Sequence, residues 1–326
     1  MDMGNGGKNM QGTEGFAEET ASVLRKKLGN GYKVRKLTVE KINKGKVYAL
    51  LITDGENMVS PAFYLESFYS RHISYGYTAA ETAESIIKEY NSIEGLIKED
   101  RNLALNLSRK EWVKERLFLV LINKDKNKDF LSDAVYSEYA GLALVLYVLA
   151  GDGMDGMAKI KVTKSMCRGF GWDEKDTASY ALENTARLLP VGLCPLEKLI
   201  NRLLNPKDGG VQPAGGSIPG CKGEWLVMSN QKGIYGAAAI FYPGILKRLA
   251  ERKGTSLFLI PSSIHEFIII PDNGLYNPRD LEDMLREVNR TEVSLDETLS
   301  DNLYYYSYEK EKLSVLNAGN TETVIL

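Results

Sequence analysis

"LFLIPSSIHEFIIIPDNGLYNPRDLEDMLREV" spans residues 257–288, and how it is read decides the fold. Two apolar runs, 257–260 and 266–270 with its leading Glu266, flank a proline and a polar turn. Short runs rich in β-branched and aromatic residues, bounded in this way, predict a buried β-hairpin. A helix follows. Asn277 suits the N-cap, Pro278 the first helical position and Asp280 the first turn. Tyr276 can staple onto Leu281, and Leu281, Met284, Leu285 and Val288 form an apolar stripe.

The same device occurs earlier in the chain. "WDEKD" at 172–176 repeats the pattern of "YNPRD" at 276–280, with Asp173 as N-cap and Asp176 as first-turn acid. Its helix presents Ala178, Ala181, Leu182 and Thr185. Upstream of each lies an apolar strand closing on asparagine, "LVLIN" at 119–123 and "LVMSN" at 226–230. Between these landmarks come strands at 142–149 and 158–162 in one half, 257–260 and 266–270 in the other. Each half reads β-x-β-β-α, where x is a polar stretch (124–138) or a helix broken at Pro243 and stopped by Gly254. Internal duplication and chance recurrence of a common helix start both account for this pattern.

The N-terminal part differs. Residues 1–13 have no periodicity and are expected to be disordered. Phe16, Ala17, Ala21, Val23, Leu24 and Leu28 predict a helix, and strands follow at 32–42, 46–52 and 58–65. Pro61 makes the third of these an edge strand or an interrupted one. Thr78 and Glu81 form a capping box ahead of a helix lined by Ala79, Ala83, Ile86, Ile87 and Tyr90. The expected class is α+β: an N-terminal α-β-β-β-α unit (14–100), then two related modules (101–204 and 224–326). A Gly/Pro-rich linker (205–223) lies between the modules, and "LYYYSYEKEKLSVL" makes a terminal hairpin.

Composition narrows the function. Lys+Arg 41 against Asp+Glu 43 leaves a net charge of -2, which argues against a polycation built to coat nucleic acid. Cys167, Cys194 and Cys221 are odd in number and make no C-x-x-C pair, so three free thiols in a reducing cytoplasm are expected. The N-terminus lacks the apolar core of a secretory signal, and "GLALVLYVLAG" (141–151) is too short to span a bilayer. No nucleotide fingerprint accompanies the glycine clusters. "NKDKNKD" (123–129) imitates a calcium loop but has Lys128 where the sharp turn needs glycine and Ala134 where a bidentate glutamate belongs. No metal and no cofactor is implied.

Two groups of residues merit scrutiny as sites. Ser262, Ser263, His265 and Glu266 supply the residue types of a hydrolase triad, although consecutive residues in one turn rarely face one another and no G-x-S-x-G elbow exists. The alternative is a structural turn whose polar groups satisfy its own backbone. From residue 25 to 46 the chain carries nine basic residues and one acid. Arg25, Lys26, Lys27, Lys33, Arg35 and Lys36 would form an anion-binding face or a solvated surface. His72 sits among aromatics and reads as packed or solvent-facing.

"GAAAIFYPGILKRLAERKGTSLFLIPSSIHEFIIIPD", "DTASYALENTARLLP", "LVLINKDKNKDFL" and "VSPAFYLESFY" together resemble the bacterial domain of unknown function 5688, found largely in gut Firmicutes. A fainter similarity, in the helix ending in Asn and Leu-Pro and in the Pro-polar-acid turn between two strands, points to the family of unknown function 1444. Neither resemblance brings an activity or a catalytic residue. Together they imply an intracellular bacterial protein of α+β fold. The function expected on all these grounds is a non-catalytic binding or protein-interaction module, with a hydrolase as the alternative and polyanion binding as a weaker one.

Overall fold

A computed structural model describes residues 5–54, 61–99, 101–153, 156–199, 225–317 and 320–324. The chain is α+β and divides into two compact units, Met1–Val113 and Lys114–Leu326.

In the first unit α1 (Asn5–Leu28) precedes an antiparallel sheet of β1 (Lys33–Lys41), β2 (Gly45–Thr53) and β3 (Ala62–Tyr64), ordered β1-β2-β3. Regular structure therefore begins at Asn5, inside the segment expected to be disordered. β3 is an edge strand, one of the two outcomes that Pro61 allowed. α2 (Glu66–Tyr75) and α3 (Ala79–Glu99) follow, and α2 is a helix where no element was expected. Phe16, Ala17, Ala21 and Leu24 of α1 join Ala83, Ile86 and Tyr90 of α3 over Leu50, Ile52 and Phe63 of the sheet. The capping box of α3 is formed: Thr78 N–H donates to Glu81 Oε2 (2.8 Å) and Glu81 N–H to Thr78 Oγ1 (3.2 Å). Two short helices, α4 (Arg101–Leu107) and α5 (Lys110–Glu115), extend past the boundary expected near residue 100.

The second unit holds two antiparallel sheets. In the smaller, β4 (Leu117–Asn123) is followed by α6 (Lys128–Leu131), β5 (Tyr136–Tyr139), β6 (Leu142–Gly153) and β7 (Gly156–Lys161). Its order is β4-β6-β5, with β7 also on β6. The run at 141–151 is thus a buried strand, Leu142 to Val148 being enclosed. α7 (Lys164–Phe170), α8 (Glu174–Leu188) and β8 (Val191–Pro195) come next. The larger sheet adds β9 (Leu226–Asn230), β10 (Leu257–Ser263), β11 (Glu266–Pro271), β12 (Leu303–Ser307), β13 (Lys312–Asn317) and β14 (Asn320–Val324). Between β9 and β10 lie a 3₁₀ segment, Gly236–Phe241, and α9 (Ile245–Lys253). α10 (Pro278–Thr291) follows β11.

The order of the larger sheet is β14-β13-β12-β10-β11-β9-β8. Two expectations change here. β8 lies before the supposed linker yet pairs antiparallel with β9, so 101–204 and 224–326 are not separate modules. The linker lies outside the described residues. The recurrence of the two halves also stops at element order. β4 pairs with β6, the first strand of its hairpin, whereas β9 pairs with β11, the second strand of its own.

The helix starts at 173 and 277 form as the residues dictate. Asp173 accepts from the N–H groups of Lys175 (2.9 Å) and Asp176 (3.1 Å), and Asn277 from Arg279 N–H (3.0 Å). Tyr276 packs on the cluster containing Leu281 and Leu285. The buried stripe of α8, however, is Thr177, Ala181, Asn184 and Thr185. β4 is the edge of its sheet, and α8 supplies polar partners to that edge. Asn184 Nδ2 donates to the carbonyls of Leu117 and Glu115, both at 2.8 Å, and Thr185 Oγ1 accepts from Leu119 N–H at 3.0 Å. A covered edge strand must satisfy these backbone groups from within the protein. On α10 the stripe includes Glu282 and Asn289, while Val288 is exposed.

Candidate functional site

The hairpin at 257–271 is present, with a two-residue turn at Ile264–His265 closed by the Ser263–Glu266 pair. Pro261 faces Phe267, and Ser262 is the extra residue of a β-bulge between Pro261 and Ser263. β12 pairs with β10 only at 257–259, so proline stands where no neighbour on that side calls for its missing N–H.

His265 is tied down from several directions. Its Nδ1 accepts from Tyr235 N–H at 3.0 Å, its own N–H donates to Ser263 Oγ at 3.1 Å, and its carbonyl accepts from Ser229 Oγ at 2.8 Å. An acceptor at Nδ1 requires the neutral ring to carry its proton on Nε2. That nitrogen lies 3.8 Å from Glu297 Oε1. Ile264 N–H donates to the Glu297 carbonyl at 2.8 Å, which lays the loop before β12 over the turn. Burial lowers the His265 pKa and Glu297 acts against it. Burial raises the pKa of Glu266.

The segment facing the turn is unusual in its backbone. Tyr235 takes φ 55°, in the left-handed region. At Gly236, a Cβ would fall 2.1 Å from Ser229 Oγ, 2.4 Å from Asn230 N and 2.7 Å from His265 O. Gly236 to Phe241 are all buried. The turn, β9 and the 3₁₀ segment therefore meet at a point where only glycine fits.

Sequence reading missed a lysine here. Lys159 of β7 places its ammonium 4.5 Å from the ring centroids of both Tyr147 and Tyr235, and the Tyr235 ring lies 5.5 Å from that of His265. No carboxylate within ion-pair distance is found for it among the described residues. Burial pushes Lys159 down to about 8, while the two ring faces attract its cation. The only signal in the sequence is Lys159 between two apolar positions of a strand, which does not separate a clamped lysine from a solvated one.

A folded pKa of about 8, below the ordinary 10.5, means the unfolded chain binds more protons between those values. Stability should therefore rise as pH is raised from about 8 toward 10.5. Denaturant midpoints measured at about pH 7 and about pH 9.5 should move up in the wild type relative to Lys159→Met. Parallel behaviour of the two chains would show that Lys159 is freely solvated.

The basic run is largely paired within the first unit. Arg25 meets Glu18 (3.2 Å), Lys27 meets Glu84 (2.8 Å), and Lys36 meets Glu14 (3.0 Å) and Glu18 (3.5 Å). Lys41 and Lys44 share Glu66. Lys26, Lys33 and Arg35 are exposed, the last two on the edge strand β1, where charge discourages pairing with another chain. His72 is packed: its ring stacks on Phe16 at 4.6 Å and Nδ1 lies 2.6 Å from the Tyr77 carbonyl. Among the described residues there is no group of three potential metal ligands and no helix long and apolar enough to cross a membrane.

A family model described as "Family of unknown function (DUF5688)" matches residues 13–308. The chain belongs to this family. No curated protein and no solved structure matches the DUF5688 chain. The match runs from within α1 to the end of β12, and so takes in the hairpin, the Tyr235–Gly236 corner and Lys159.

Proposed function

We propose that the protein is a non-catalytic binding protein of the cytoplasm. The observation that carries this reading is the commitment of His265. Its Nδ1 is spent on Tyr235 N–H, and Ser263 Oγ accepts from the His265 backbone N–H. A hydrolytic relay needs an imidazole nitrogen free to take the serine proton. Here the nitrogen that could accept is already bonded to backbone. The Tyr235, Ser229 and Glu297 contacts support reading the turn as a structural joint. Cys167 and Cys194 are free thiols, and Cys221 lies outside the described residues.

His265→Ala should cost about 1–2 kcal/mol of stability, and Ser263→Ala less, since water can replace a half-satisfied turn hydroxyl. Neither wild type nor variant should hydrolyse generic ester probes. Wild-type turnover that disappears in His265→Ala at an unchanged melting temperature would instead establish the hydrolase alternative.

A further inference from the structure

The second unit contains a cleft of about 570 Å³, lined by Glu115, Arg116, Gly151, Tyr180, Arg187 and Leu188 among others. Its volume lies in the range of small-molecule sites. What distinguishes it is how Arg187 is held. The guanidinium donates through Nε to Asn184 Oδ1 (3.1 Å) and through Nη2 to the same oxygen and to the Glu115 carbonyl (2.8 Å). Asn184 is itself buried and anchored on the β4 edge. Nη1 enters none of these bonds. An arginine fixed along one side, with donors left over on the other, is oriented before any ligand arrives, so less side-chain entropy is lost on binding.

The charge around the cleft favours an anion. Arg116 shares the wall, and the Lys114 ammonium stands 4.6 Å over the Tyr180 ring. Among the described residues Glu115 is the one acid in the lining, and its carboxylate lies 3.9 Å from Arg116. Leu149, Ala150 and Leu188 supply apolar surface beside the Tyr180 ring.

We propose that this cleft binds a small organic anion, a phosphate or carboxylate borne on an apolar or aromatic group, with Arg187 as its oriented anchor. The inference rests on the binding reading above and gives it a ligand class. With Nε and Nη2 occupied, Arg187 offers the N–H groups of Nη1 to an oxyanion as a charge-assisted contact, and the ring and leucines cover the remainder.

The test is calorimetric titration of the full chain with phenyl phosphate and with benzoate, using phenol as the uncharged control. At least one anion should bind, more weakly at high salt, and phenol should not. Arg187→Lys keeps the charge but loses the bonds to Asn184 and Glu115 that orient it, and should weaken binding about tenfold. Arg116→Gln should weaken it as well, and it decides the matter if Arg187→Lys does not fold. Preference between the two anions identifies the ligand's head group. Absence of binding to folded wild type, or binding unchanged in both variants, overturns the proposal. A metabolite that co-purifies and is held equally by both variants would remove the cleft while leaving the binding reading in place. Ester turnover dependent on His265 would do the reverse.

Discussion

Gly236→Ala is expected to be among the most damaging single substitutions in the chain, costing about 3 kcal/mol or more. The added methyl would lie 2.4 Å from Asn230 N and 2.7 Å from His265 O, both backbone atoms of the larger sheet and its hairpin turn. Such contacts are not relieved by a rotamer change. They require β9 and the hairpin turn to separate, which would also strain Tyr235 N–H away from His265 Nδ1. Gly169→Ala in α7 is the control, because nothing lies within 4 Å of the place its methyl would occupy and helix propensity favours alanine by about 1 kcal/mol. Chemical denaturation of both variants checks the contrast. Equal stabilities would mean that the corner is loosely packed.

Asn184→Ala should cost about 3 kcal/mol. The amide serves the carbonyls of Leu117 and Glu115 and orients Arg187 through its oxygen. Alanine leaves Leu117 O buried without this donor and opens a small void beside it. Thr185→Val removes the acceptor for Leu119 N–H and provides a second reading of the same edge. Hydrogen exchange at Leu119 should accelerate in both variants. Protection unchanged in both would show that β4 is held by β6 alone.

The parts of the fold that were legible in the sequence are those governed by local chemistry. Asp173, Asn277 and the Thr78–Glu81 pair start helices wherever they stand, because they serve N–H groups within their own first turn. The apolar run at 142–149 and the Tyr-rich terminal hairpin were legible for a similar reason. α8 was misread by a part of a turn: hydrophobicity selects Ala178 and Leu182, whereas the buried face carries Thr177 and Asn184. The helix packs on a strand edge that presents backbone groups, and a periodicity of apolar residues carries no information about such a neighbour. "VGLCP" escaped notice as β8 because a five-residue stretch with glycine and proline has no strand signature of its own, and its pairing with β9 is distant in sequence. α2 was missed because its aromatic and β-branched residues do not favour a helix.

The candidate site was half legible. The turn residues were legible, whereas the contacts on which the proposed reading as a joint rests involve Tyr235, Ser229 and Glu297, each remote along the chain. The cleft was not legible at all. Arg187 looks like any solvent-facing arginine near the end of a helix until Asn184 is seen to hold it.

The pairing of β8 with β9 has a consequence for how this chain can be inherited. The last strand before residues 200–224 and the first strand after them lie side by side in one sheet. A gene break or a swap between relatives at this point would not exchange self-sufficient pieces. It would ask Leu193 and Cys194 to fit a foreign Met228 and Val227 across the ladder. An exchange at this point would have to preserve the β8–β9 ladder residue by residue, a constraint that two self-contained modules would not impose.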